Sequence, residues 1–204
     1  GYEAMQLDSA GALNVAVGWR ALRNNRIGAE NTAIGVGALE ADSSGNYNTA
    51  VGRYAGFLNK RGSFNVAMGM QSGVSNDTAD VTTFVGYLSG YYNRNHYNTG
   101  VGAYALTYNN FTTGSSTTGA ENTSLGYGAG YRINLGSQNT AVGFQSMNGG
   151  GPYISGNRNV AVGDSTLFSF STGNDNVAMG YKALSNAQTG SQSVAVGSRA
   201  LRVF

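Results

Sequence analysis

The sequence predicts an all-β fold, a parallel β-roll or β-helix solenoid of about 11–12 coils with a 17-residue period. The pattern Asn-(Thr/Val)-Ala-aliphatic-Gly returns eleven times with few substitutions, and its glycines, from Gly18 to Gly197, are mostly 17 residues apart. Apolar residues make up 41% of the chain and charged residues 11%, which excludes disorder. Thirty-two glycines accompany a single proline, so a collagen-like repeat is excluded as well.

Each coil is expected to open with a short strand, because a Thr or Val and an aliphatic residue two positions later form a period-2 pattern. The recurring Gly and Asn exclude a helix. We expect the aliphatic residue to point inward and to stack on its equivalents in one dry column. This predicted core comprises Val17, Ile34, Val51, Met68, Val85, Val101, Leu125, Val142, Val162, Met179 and Val196.

The rest of the coil follows from the residues after the strand. The glycine is expected to allow a turn or a close approach that a Cβ would prevent. Ala or Ser followed by Leu, as in Ala21-Leu22 and Ala105-Leu106, is expected to start a second short strand. The asparagines that precede the strands, such as Asn31 and Asn48, are expected to form a hydrogen-bonded ladder along the axis.

The small residue at the centre of each strand is expected to face away from its own core, so that another backbone packs against it. This predicts a homotrimer, intertwined or side by side; the alternative is that alanine merely suits a tight bend. Gly1 aligns with Gly18, so the chain begins within a coil, and it stops abruptly at Phe204. We therefore expect one β-solenoid domain over residues 1–204 that is a fragment of a longer fibrous protein.

The copies at residues 31–35, 48–52 and 139–143, all Asn-Thr-Ala-(Ile/Val)-Gly, resemble two groups of proteins. One is the head of trimeric autotransporter adhesins, a parallel β-roll in a trimer. The other is phage tail fibres and related receptor-binding proteins, which the 17-residue coil and the Ala-Leu segment resemble more closely. The resemblance covers nearly the whole chain and is specific for architecture.

The resemblance implies a structural and receptor-binding segment of a phage tail fibre in the virion. Its partners would be its own copies and a bacterial surface receptor, either a polysaccharide or an outer-membrane protein. One alternative is the head of a bacterial trimeric adhesin at the cell surface. Another is a polysaccharide depolymerase, for which Asp77 and Asp80 are the nearest pair of carboxylates.

Interruptions of a regular scaffold commonly carry binding. The insertions fall at 107–121 and 147–158, and the copy at 82–86 departs from the pattern. Tyrosines cluster before the first insertion, and tyrosine suits stacking on sugars or proteins. The alternative is that these rings fill corners of the roll. The candidate receptor-binding residues are Tyr91, Tyr92, Arg94, His96, Tyr97, Tyr108, Asn109, Phe111 and Tyr153.

Other chemistry is not expected. Cysteine is absent and His96 is the only histidine, so we predict no metal site and no cofactor. No serine stands in a nucleophile elbow, and we predict no enzyme. The net charge is +2 without a basic run, which argues against nucleic acid. No apolar stretch approaches the roughly 18 residues of a membrane span, so no membrane insertion is expected.

Overall fold

The computed structural model describes residues 1–109, 118–151, 153–186 and 188–202. Within these residues the regular structure consists of eleven three-residue strands. They are β1 (Val15–Val17), β2 (Thr32–Ile34), β3 (Thr49–Val51), β4 (Val66–Met68), β5 (Thr83–Val85), β6 (Thr99–Val101), β7 (Thr123–Leu125), β8 (Thr140–Val142), β9 (Val160–Val162), β10 (Val177–Met179) and β11 (Val194–Val196).

The eleven strands form one parallel sheet in sequence order, each paired with the equivalent strand of the next coil. Equivalent residues face each other, as Val15 faces Thr32 and Val17 faces Ile34. The predicted all-β solenoid is confirmed: ten turns of chain separate the first and last strands. At about 4.8 Å per step, the sheet is roughly 50 Å long.

The inward aliphatic column is the first prediction that the structure overturns. The central strand residue is buried instead, and Ala33, Ala50 and Ala141 are fully shielded from solvent. The aliphatic residues all point outward; Val17 is 55% exposed and Val196 67% exposed. The expectation that the alanines face a sister chain is wrong for the same reason.

Strand alternation explains this orientation. The asparagine before each strand and the central alanine are two residues apart, so both side chains lie on one face. The asparagine must reach backbone groups inside the coil, which places the alanine inside with it. The interior is narrow, and a methyl group is what fits there.

The predicted second strand is also absent, because the Ala-Leu segment forms turns. Ala21 N–H donates to Gly18 O at 3.4 Å, and Leu22 has a φ of +49°. The Leu22 amide still bonds to the next coil, at Ala38 O, at 3.0 Å. The left-handed φ aims the leucine side chain into the core, where Leu22 is fully buried.

The asparagine ladder is confirmed. The Asn31 backbone N–H donates to Asn14 Oδ1 at 2.9 Å, and the Asn31 side-chain Nδ2 donates to Gly45 O at 2.8 Å. The ladder survives the longest insertion, since Asn122 N–H reaches Asn98 Oδ1 at 2.9 Å. Each side chain therefore satisfies backbone groups that the bent coil leaves without a strand partner.

A second buried polar column lies beside the ladder, and the two columns touch where Asn98 Nδ2 donates to Asn93 Oδ1 at 2.9 Å. Asn25 and Asn59 each accept a hydrogen bond from the amide three residues later, closing a turn at Gly28 and Gly62. Asp42 takes the same position and accepts from Gly45 N at 2.7 Å. Burial raises the pKa of Asp42 to about 6, although bonds from Gly45, Ser44 and Asn48 oppose the shift.

We expect Asp42→Asn to stabilise the protein at neutral pH. The folded pKa of about 6 exceeds the ordinary value of 3.8, so the aspartate's contribution to stability is complete below pH 3.8 and is lost as pH rises through 6. The variant should gain about 3 kcal/mol in free energy of unfolding at pH 7–8, and little at pH 3.5. Urea denaturation across this range tests it. Asp8→Asn, the same change at the half-exposed end of this column, should show no comparable gain.

The coil at 82–86 keeps the ladder but changes the core. Thr82 replaces asparagine and donates its N–H to Asn65 Oδ1 at 3.0 Å. Phe84 replaces alanine and is only 1% exposed. Its ring lies against Gly73 and Gly90, at positions where other coils carry leucine. This departure from the pattern fills the interior.

The two insertions differ in what is described of them. Residues 110–117 of the first, at 107–121, lie outside the described residues. In the second, at 147–158, Ile154 forms a parallel bridge with Ile133 and restores the register of the coils. Within this insertion, Gly150 N–H donates to Phe168 O of the next coil at 2.8 Å.

Candidate functional site

An aromatic cluster runs along the side of the rod next to the strands. Its rings come from four consecutive coils, and rings of successive coils contact each other. The centroid distances are 5.2 Å for Tyr92–Tyr108 and 5.1 Å for Tyr108–Tyr131. Tyr104 joins it, 5.6 Å from Tyr127. The stacking of coils brings together rings that are far apart in sequence. The members are Tyr87, Tyr91, Tyr92, Tyr104, Tyr108, Tyr127, Tyr131 and Phe144.

A solvent-open cleft of about 350 Å³, here called the tyrosine cleft, lies within this cluster. Its position is set by three successive coils. The lining residues are Tyr104, Tyr127, Gly128, Tyr131, Gln145 and Asn148. Aromatic walls with a few amide groups are the usual lining of a small-molecule site.

The hydroxyls of Tyr104 and Tyr131 in the cleft stay protonated at physiological pH. Burial, reinforced by a hydrogen bond with Tyr108, raises the pKa of Tyr131 to about 12. Burial and the neighbouring Tyr87 also raise the pKa of Tyr104. The cleft therefore presents neutral hydroxyl groups that can donate and accept.

Some of the predicted receptor residues belong to this cluster. Tyr91, Tyr92 and Tyr108 lie in it, with Tyr91 and Tyr92 4.5 Å apart in a T-shaped arrangement. Tyr153 lies at its edge, where the Arg132 guanidinium is 5.9 Å from its ring. Arg132 is also 6.0 Å from Tyr131 and so connects the second insertion to the cluster.

Other predicted receptor residues lie elsewhere. Tyr97 flanks the strands on their other side, 59% exposed, with His96 5.9 Å away. Arg94 is exposed. Asn109 is fully buried in the second polar column, so direct contact with a receptor is wrong for it. Phe111 lies outside the described residues.

None of the described residues that line the cleft is among the predicted receptor residues. Tyr127, Tyr131 and Gln145 are separated in sequence from the tyrosines that drew attention. In the register of the repeat, Tyr87 and Tyr104 lie in neighbouring coils, as do Tyr127 and Phe144. The signal was the register of the repeat.

A second notable surface is the outer strand face, defined as the first and third residues of β1–β11. The third residue of each strand is aliphatic, and Ile34, Leu125 and Met179 are 40–49% exposed. The first residues are Val or Thr throughout. The aliphatic column forms an apolar strip along the length of the sheet, beside a column in which six of the eleven residues are threonine.

The carboxylates Asp77 and Asp80 have separate partners. Asp77 Oδ2 is 3.1 Å from Lys60 Nζ, while Asp80 Oδ1 accepts from Ser63 N at 2.7 Å. His96 Nδ1 accepts from the Asp80 amide at 3.0 Å. Among the described residues, no three His, Cys, Asp or Glu side chains gather where a metal ion could bind. The described part of the chain has no helix long and apolar enough to span a membrane.

Comparison with protein-family models, curated proteins and solved structures finds no match.

Proposed function

We propose that this chain is a structural and receptor-binding segment of a phage tail fibre that attaches the virion to a bacterial surface. One observation carries the proposal: eleven strands stack in unbroken register, while the aromatic side chains collect beside them. A rod of stacked coils supplies rigid reach, and the aromatic cluster supplies a contact surface. The resemblance of the repeats to tail-fibre arrays points the same way.

The rod acts as a homotrimer in this proposal, with the outer strand face as the shared surface. Mixed columns flank this face: one carries Trp19 and Met70, and the other carries Tyr47 and Phe64 in the early coils and the Arg158–Asp175 ion pair in the late coils. A strip of roughly 50 by 20 Å covers about 1,000 Å², more than the ~800 Å² per partner of a standard interface. Monomers rarely leave an apolar strip of more than a few hundred Å² in solvent, and the aliphatic column at the centre of this face is such a strip.

Mass in solution tests the assembly. Light scattering should give about 63 kDa, three times the 21.1 kDa of one chain. Val51→Lys with Met68→Lys places charges in the outer strand face and should yield monomers. The control is Ile27→Lys, the same kind of change at a 60% exposed position outside the strands, which should leave the mass unchanged. A 21 kDa wild-type species would refute the trimer.

Attachment is tested with the labelled protein and a panel of Gram-negative cells that differ in surface polysaccharide. Saturable binding to some strains and not to others is expected, because three copies add their contacts. Assaying the supernatant for released oligosaccharide distinguishes attachment from depolymerisation. Absence of binding to every strain would refute the proposed function.

A further inference from the structure

The geometry points to a specific ligand for the tyrosine cleft. We propose that the cleft binds one uncharged hexopyranose residue of a bacterial surface polysaccharide. The proposal rests on the attachment function above and names the ligand class of that site. It follows from the origin of the cleft, its polar groups and its lack of charge.

The cleft exists because one coil lacks a side chain. Tyr104 and Gln145 occupy the same position in the coils on either side, and Gly128 stands between them. A Cβ on Gly128 would lie 3.2 Å from Asn148 Nδ2 and 3.6 Å from Gln145 Cγ, so the nearest atoms belong to the side chains that line the cleft and no ring fills it. Gly37 has the same position in another coil, but a Cβ there would lie 2.5 Å from Tyr54 Cδ1, so the Tyr54 ring fills that space. The opening is therefore particular to Gly128.

The aromatic walls suit the carbon face of a sugar ring. Tyr104 and Tyr127 are inclined at 72° to each other, and Tyr104 and Tyr131 at 73°. One ring can stack on a pyranose while a second bounds its edge, as rigid aromatic side chains do at low conformational cost. The volume of about 350 Å³ lies at the small end of ligand sites, which fits one sugar residue and not an extended chain.

Two carboxamides face this space. The Gln145 side chain makes no hydrogen bond within the described residues. Asn148 Nδ2 donates to Gly128 O at 3.0 Å, and Asn148 Oδ1 has no partner among the described residues. A carboxamide can donate and accept at once, which matches a pair of adjacent sugar hydroxyls. The cleft thus offers a stacking surface with polar groups at its edge.

The absence of charge selects an uncharged sugar. Among the described residues that line the cleft, only the tyrosines are ionisable, and burial raises the pKa of Tyr104 and Tyr131, which keeps their hydroxyls neutral. Arg132 lies beside it, with Nη1 donating to Gly151 O at 2.7 Å. Two other clefts on the rod carry charge, one with Arg20 and Glu40 and one with Lys182 and Arg202.

The test measures binding of the whole protein to neutral and acidic oligosaccharides. The probes are gluco-, galacto- and manno-oligosaccharides, with uronic-acid and sialylated oligosaccharides beside them. Gly128→Gln fills the cleft with the residue that the next coil carries at this position. Gln145 has a φ of +49° and Gly128 one of +62°, so the backbone can accept a glutamine there. We expect this variant to weaken binding of a neutral glycan at least about tenfold.

Arg199→Gln is the matched control, because it places the same residue at the same coil position, with a φ of +58°, at an exposed site outside the cleft. It should bind within about threefold of wild type, a difference below 1 kcal/mol. Circular dichroism and mass in solution verify that both variants are folded. Three outcomes would overturn the proposal. Wild type binds only acidic glycans, wild type binds no glycan, or Gly128→Gln binds the neutral glycan as well as wild type does. If cells are still bound in these cases, attachment stands and only the cleft assignment falls; if wild type binds no cells, the proposed function falls first.

Discussion

Replacing Phe84 by alanine is expected to lower the free energy of unfolding by about 3–5 kcal/mol. The ring is nearly fully buried and fills space that other coils fill with leucine. A Cβ on Gly90 would lie 2.4 Å from Phe84 Cδ1, and a Cβ on Gly73 3.4 Å from Cδ2. The alanine would leave a cavity that no neighbouring side chain can fill. Urea denaturation, compared at constant m-value, measures the loss.

A double variant tests whether Phe84 compensates for the missing leucine. Phe84→Ala with Gly90→Leu recreates the pair that Ala33 and Leu39 form in another coil. Leu39 has a φ of +49° and Gly90 one of +60°, so the backbone can accept a leucine there. We expect the second change to restore more than half of the lost stability, and Gly90→Leu alone to destabilise. Additive losses in the double variant would contradict this explanation.

Gly69→Ala is expected to disrupt the stacking of coils. A Cβ at this position would lie 2.7 Å from Gly86 O and 2.8 Å from Gly86 C, both backbone atoms that cannot move without separating two coils. Its φ of +127° is also a region that only glycine adopts readily. Backbone strain alone costs about 1–3 kcal/mol, and the clash adds to it. We expect a total above about 4 kcal/mol, which is exceptional for one methyl group.

The last glycine of the series separates these two causes. Gly197 has nearly the same φ, +123°, but a Cβ there would meet nothing within 4 Å. Gly197→Ala should therefore cost only the strain, about 1–3 kcal/mol at most. Equal losses in the two variants by urea denaturation would show that the close approach of the coils is not the cause.

Much of the coil could be predicted from the repeat. The period predicted the parallel stacking, the glycines predicted the close approach of backbones, and the asparagines predicted the ladder from Asn14 to Ser193. Each of these depends on what one residue type does to its own backbone or to its copy 17 residues away. Such interactions are written in the sequence wherever the register is constant.

The errors concerned the direction of side chains. Asn31 and Ala33 alternate with Thr32 and Ile34, so an internal asparagine ladder and an internal aliphatic column exclude each other. The repeat predicts the ladder along the axis without placing it on either face, and the inward aliphatic column is the prediction that was wrong. The preference for burying large apolar residues favoured the aliphatic column, and the need to satisfy bent backbone decided against it.

The cleft shows the same division. The tyrosines near the first insertion drew attention by their density, but Tyr127, Tyr131 and Gln145 contribute only because later coils lie on top of earlier ones. Nothing in the sequence distinguishes Gly128 from the other glycines. It matters because it has no side chain between those of Tyr104 and Gln145 in the adjacent coils. Its importance depends on neighbours in three coils.

The sequence by itself determined the repeat, the strand positions, the glycine contacts and the asparagine ladder, because each follows from local backbone chemistry repeated at a constant interval. Only the tertiary structure decided which face of each strand is inside and which rings meet across coils. A three-residue strand has two faces that alternation alone cannot rank. The narrow interior chose alanine and asparagine, and it left the aliphatic residues outside.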